Sequence, residues 1–66
     1  MTIEQLREKH TEINVACNII EIHRETKSEY VKNSLYATFK STIGSKGLEP
    51  DEYDLLIQWF INTVKY

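Results

Sequence analysis

Leu48-Glu49-Pro50-Asp51-Glu52-Tyr53-Asp54, continuing as Leu55-Leu56-Ile57-Gln58-Trp59-Phe60-Ile61-Asn62-Thr63-Val64-Lys65-Tyr66, is the stretch whose reading decides the fold. Pro50 suits the first position of a helix, where its missing N–H would have no partner anyway. Asp51 and Glu52 follow in the first turn, where the helix dipole favours negative charge. Leu48 and Tyr53 have the spacing of a hydrophobic staple across that N-terminus. At 100° per residue, Asp54, Lys65, Gln58 and Asn62 occupy roughly 80° of the circumference and apolar residues hold most of the rest, whereas a rim helix needs an apolar arc of only about 100°. This helix therefore asks to be covered on more than one side. Tyr53, Ile57, Phe60, Ile61 and Val64 make one side, Leu55, Trp59 and Tyr66 another, and Leu56 lies between them.

Working back towards the N-terminus, Gly44-Ser45-Lys46-Gly47 reads as a short connection, with Gly44 stopping the preceding helix as a left-handed C-terminal residue. That helix, over 28–43, gathers Val31, Leu35, Thr38, Phe39, Thr42 and Ile43 on one face, with Tyr36 at its margin. Ser34, Ala37 and Ser41 form its far side. Before it, His23-Arg24-Glu25-Thr26-Lys27-Ser28-Glu29 is a polar interval in which either Thr26 or Ser28 is a candidate N-cap. Thr2 and Gln5 form a capping box that opens the first helix near Ile3, and no Gly or Pro interrupts the chain before Gly44. Ile3, Leu6, His10, Ile13, Cys17 and Ile20 line one seam of this helix, widened by Ala16, while Val15, Ile19 and Ile22 face a different side. The expectation is an all-α fold: one helical domain over 1–66, built as a small bundle of three helices at about 3–25, 28–43 and 50–65. The rival reading is one continuous helix over 3–43, roughly 60 Å long at 1.5 Å per residue, which would bury itself only against other chains.

A domain of 66 residues, 41% hydrophobic and with a single Cys, has no internal disulfide to brace it. Chains this small are marginally stable and gain from a partner. A three-helix layer has no fourth element to cover the outer sides of its first and last helices. Their uncovered patches would exceed the few hundred Å² of apolar surface that soluble monomers expose. The sequence accordingly predicts homo-oligomerisation, most simply as a two-fold dimer, through Leu55, Trp59 and Tyr66 together with Val15, Ile19 and Ile22. No apolar run approaches the ~20 residues of a membrane span, and Met1-Thr2-Ile3-Glu4-Gln5 lacks the basic-then-apolar order of a signal peptide, so the expected location is cytoplasmic with no membrane partner.

The net charge of −2 opposes non-specific attraction to nucleic acid. The charge is uneven, however: residues 1–25 sum to −2, residues 26–47 to +3 and residues 48–66 to −3. A basic middle between acidic ends is most simply an intramolecular or subunit-to-subunit complement. Its alternative use is a surface for an anionic partner made of Tyr30, Lys32, Asn33, Tyr36, Lys40 and Lys46, which supply donors, positive charge and aromatic faces. A helix-turn-helix is disfavoured, because the helix after the glycine turn is acidic and apolar and belongs in a core. A small anionic ligand held between subunits by Lys40, Lys46 and the tyrosines is a third reading.

Motifs for chemistry are weak. Zinc needs three or four converging ligands, but His23 points about 120° away from Cys17 around a helix, and Cys-x-x-Cys and His-x₃-His pairs are absent from the sequence. Cys17 reads as a buried, inert thiol. Glu4, Glu8 and Glu12 form a solvated stripe rather than a catalytic carboxylate pair. The glycine connection lacks the spacing of a P-loop, and Glu49, Asp51 and Glu52 repel phosphate from the following helix. The sequence thus predicts no cofactor, no metal and no enzymatic activity. It predicts a non-enzymatic protein–protein interaction module, a small adaptor, inhibitor or regulator acting as a homo-oligomer. A small nucleic-acid-associated regulator using the basic middle helix is the alternative.

Overall fold

Thr2 and Gln5 begin the first helix reciprocally. The Gln5 N–H donates to Thr2 Oγ1 at 3.2 Å and the Thr2 N–H donates to Gln5 Oε1 at 2.8 Å. The computed structural model describes residues 2–65. It is all-helical, with four helices among those residues: α1 Ile3–Lys9, α2 Thr11–Ile22, α3 Glu29–Gly44 and α4 Pro50–Val64. The all-α class is as the periodicity predicts, but the helix expected over 3–25 is two helices. His10 interrupts it in an extended conformation, φ −125° and ψ 104°, serving as C-cap of α1 and N-cap of α2. The reason is tertiary. A straight helix over 3–25 would run about 34 Å, longer than the molecule's longest principal extent of 30 Å, and would carry Leu6 past the end of its neighbours. Folding back at His10 leaves Leu6 fully buried, a gain of about 1.5–3 kcal/mol against a few helical hydrogen bonds.

The continuous 3–43 helix is likewise absent, its span being divided among α1, α2 and α3. α2 ends at Ile22, and Ser28 caps α3 by accepting from the Val31 N–H at 3.3 Å. Thr26 supports that cap, its Oγ1 accepting from the Ser28 N–H at 3.3 Å. At the other end, Gly44 is the last residue of α3 and is not left-handed. The left-handed glycine is Gly47, with φ +64°, three residues later, where the chain turns sharply into α4. α4 begins as its sequence predicts, with Pro50 in its first turn, and the Glu49 N–H donates to Glu52 Oε1 at 3.0 Å. Leu48 and Tyr53 both pack against the core.

α2, α3 and α4 pack pairwise, each running opposite to the one before. The Lys46 ammonium, in the α3–α4 connection, lies 2.6 Å from Glu12 at the start of α2. The core is Leu6 from α1, Ile13, Cys17 and Ile20 from α2, Phe39 and Ile43 from α3, and Leu56, Phe60 and Val64 from α4. The α2 part is the predicted seam. In α4 the buried line runs through Leu56, Phe60 and Val64, and Ile61, expected on the inner side, stands exposed. Phe39 and Phe60 stack at 5.5 Å between centroids, and Tyr36 meets Phe60 at 5.4 Å. α1 lies against α2 and α4 and, among the described residues, not against α3. It is the fourth element that a three-helix reading lacks.

Replacing Leu6 by Ala should destabilise the protein by about 2–5 kcal/mol, the range for a fully buried leucine. Ile22→Ala, at a site 76% exposed, should cost no more than about 0.5 kcal/mol. Urea unfolding followed by circular dichroism measures both. A Leu6→Ala cost as small as that of Ile22→Ala would show that α1 does not close the bundle.

Candidate interaction surface

α2 buries one stripe and leaves a second in water. Val15, Ile19 and Ile22, spaced i, i+4, i+7, are 50%, 46% and 76% exposed. Beside them an open groove of about 300 Å³ runs between α2 and α3. Val15, Ala16 and Ile19 form its α2 wall, Leu35, Thr38 and Thr42 its α3 wall, and the inward-facing Ile20 and Phe39 its floor. Its one ionic lining group is Glu12, already held by Lys46 at 2.6 Å. That hydrogen bond and the Lys46 charge keep the Glu12 carboxyl below its ordinary range. Ile22 is not part of the groove wall.

Of the six residues expected at an oligomer contact, the five described are divided between α2 and α4. Val15 and Ile19 line the groove, while Leu55 is exposed on α4 and no α4 residue lines the groove. Trp59 is half-buried within its own chain, with its ring 5.8 Å from that of Phe39. Tyr66 lies outside the described residues. The α3 wall of the groove comes from the helical face that the sequence groups as Val31, Leu35, Thr38, Phe39, Thr42 and Ile43, without separating its groove side from its core side. Its signal was present in Thr38 and Thr42, two hydroxyl residues on an otherwise apolar face, marking where that face meets water.

The residues expected to meet an anionic partner are spread along α3 and mostly engaged. Tyr30 is 80% exposed and Asn33 is exposed. Lys32 Nζ is 4.0 Å from Glu29 near the start of α3, Lys40 Nζ is 5.8 Å from the centre of the Tyr36 ring, and Lys46 holds Glu12 beyond the far end of the helix. Tyr36 turns inward onto Phe60. The structure does not gather the six into one patch.

His10 sits half-buried at the α1–α2 break, and Cys17 is fully enclosed in the core. Burial pushes the Cys17 thiol up to about 11, with the nearby Arg7 charge pulling it down and Glu21 raising it. Among the described residues no three His, Cys, Asp or Glu side chains converge as a metal site, and no helix is long and apolar enough to cross a membrane. The chain matches no family model, and comparison with curated proteins and with solved structures returns no match.

Cys17 supplies a direct check of the packing. With the thiol raised from an ordinary 9.0 to about 11, alkylation at pH 8 should be at least about 100-fold slower in the native protein than in denaturant. Because the folded value lies above the unfolded one, the Cys17 contribution to stability is intact below about pH 9 and is lost as pH rises through about 11. Cys17→Ala should remove that part of the alkaline decline. Prompt native labelling would contradict the packing of the α2 seam.

Proposed function

We propose that this protein is a non-enzymatic protein–protein interaction module, a small adaptor, inhibitor or regulator, that pairs with a second copy of itself through the α2–α3 face. The observation that carries this reading is the open apolar groove beside Val15 and Ile19. A two-fold contact sets a surface against itself, so any ionic group near the axis meets its like. Here the one ionic lining group, Glu12, is already neutralised by Lys46 from the same chain, so two such faces meet without like-charge repulsion. The aliphatic pair Val15 and Ile19, one helical turn apart, has the spacing that lets α2 of one copy lie along the groove of the other. Burial at about 25 cal/mol per Å² of apolar surface favours that pairing. The free thiol of Cys17 accords with a reducing cytoplasm. A nucleic-acid-associated regulator ranks second, because Lys32 and Lys46 on the basic segment have carboxylate neighbours in their own chain.

Light scattering at micromolar concentration should give twice the chain mass for the wild type. Val15→Glu and Ile19→Glu, both at exposed positions that the monomer does not need for its core, should return the single-chain mass with unchanged helicity. Trp59→Glu is a poor probe, since it removes the tilted ring contact with Phe39 inside each monomer. A wild type that stays monomeric up to millimolar concentration would overturn the pairing.

A further inference from the structure

At the end of the bundle remote from Lys46, a second concavity of about 420 Å³ is lined by Arg24 and Lys27 of the α2–α3 connection, Lys32 of α3 and Lys65 of the α4 C-cap. The chain has eight Lys and Arg residues in all, so half of its cations meet in one place while the molecule as a whole is negative. Arg24, Lys27 and Lys32 come from one stretch of the chain, residues 24–32, and Lys65 is brought to them from the end of α4. The carboxylates nearby are few: Glu25 lines the concavity, and Glu29 lies 4.0 Å from Lys32 Nζ. Among the described residues Arg24, Lys27 and Lys65 have no ion-pair partner. α2 and α4 both end here, and the partial negative charge of their carbonyl ends helps offset the mutual repulsion of the cations without occupying them as a carboxylate would. Thr26 and Thr63 add hydroxyls to the lining.

We infer that this concavity is a binding site for a diphosphate group, free or esterified. Four cations stand against Glu25 in the lining and Glu29 beside Lys32, an excess of two positive charges, which suits a multiply charged anion such as a diphosphate, whose two phosphate groups carry roughly three to four negative charges at neutral pH. Lysine and arginine donors with two hydroxyls are the groups that bind phosphate oxygens through charge-assisted hydrogen bonds. The volume falls in the range of about 300–1,000 Å³ typical of small-molecule clefts. The site is separate from the α2–α3 groove, sharing no lining residue with it, so it stands or falls independently of self-association.

The test is a calorimetric and NMR titration of the full chain with pyrophosphate, orthophosphate and ADP at about 0.1 M salt, where fields beyond roughly 10 Å are screened and only clustered charges act together. Pyrophosphate should bind saturably, shifting the amide signals of Thr26, Lys27, Lys32 and Thr63, and orthophosphate about tenfold or more weakly. ADP that binds as well as pyrophosphate identifies an esterified diphosphate as the ligand, and ADP that binds more weakly identifies the free anion. Lys27→Gln with Lys65→Gln should lower pyrophosphate affinity about tenfold or more, while Lys9→Gln with Lys40→Gln, which removes the same charge elsewhere, should change it less than about twofold. All four positions are exposed, and unchanged thermal unfolding would exclude misfolding as the cause. Equal losses in the two double variants, shifts scattered over all lysines, or no saturable binding would overturn the assignment. So would a single-stranded oligonucleotide that outcompetes pyrophosphate at these residues, since the site would then serve a nucleic-acid backbone.

Discussion

Arg7 determines how the first helix is used. Its guanidinium donates to Asn14 Oδ1 at 2.9 Å and Asn18 Oδ1 at 2.5 Å and lies 3.2 Å from Glu21. These three partners are spaced i, i+4, i+7 along α2, so a single side chain holds α1 back along the length of its neighbour. Hydrogen bonds to a charged group contribute about 1.5–3 kcal/mol each where water is excluded, and less here because the Arg7 side chain keeps some exposure. The polar clamp and the burial of Leu6 act on neighbouring sides of α1, about 100° apart around the helix. Together they convert an overhanging segment into the fourth wall of a bundle that would otherwise be a bare three-helix layer.

Which groove α1 covers decides which surface remains for function. A bundle of three helices has three interhelical grooves, and α1 occupies the one between α2 and α4. The groove between α2 and α3 is left open, with Val15 and Ile19 above Phe39. Had α1 continued straight into α2, both outer sides would have been uncovered and the demand for a partner would have fallen on α4 as well. As folded, α4 buries most of its broad apolar arc internally, through Leu56, Phe60 and Val64 in the core and Trp59 against Phe39, and leaves Leu55 and Ile61 each 37% exposed. The unmet demand is concentrated on α2.

The same topology sorts the charges. The alternating directions of α2, α3 and α4 bring the α3–α4 connection to the start of α2, where Lys46 and Glu12 pair, and bring the end of α4 to the α2–α3 connection, where four cations meet. A basic middle segment between acidic flanks is therefore used in two ways: one end neutralises an acid of its own chain, and the other joins Arg24 and Lys65 in a cationic concavity. Both outcomes follow from antiparallel packing rather than from any local clustering of charge.

Local and periodic features determined much of this protein from sequence alone. The cap at Thr2, the Pro50 start of α4 and the Leu6, Ile13, Cys17, Ile20 seam depend on groups within a turn or two of one another, and these were legible, whereas the choice of Ser28 over Thr26 as the cap of α3 came from the structure. So was the exposure-prone stripe Val15, Ile19 and Ile22, because helical spacing places it off the seam. The break at His10 was not legible, since no Gly or Pro marks it and the apolar phase continues through it; its cause is the length of helices far away in the chain. The end of α3 suggests Gly44 for the left-handed position, but the path into α4 places Gly47 there instead. The α3 wall of the groove and the four-cation concavity were likewise settled only by tertiary structure, because each is assembled from segments whose separation in sequence carries no information about their distance in space.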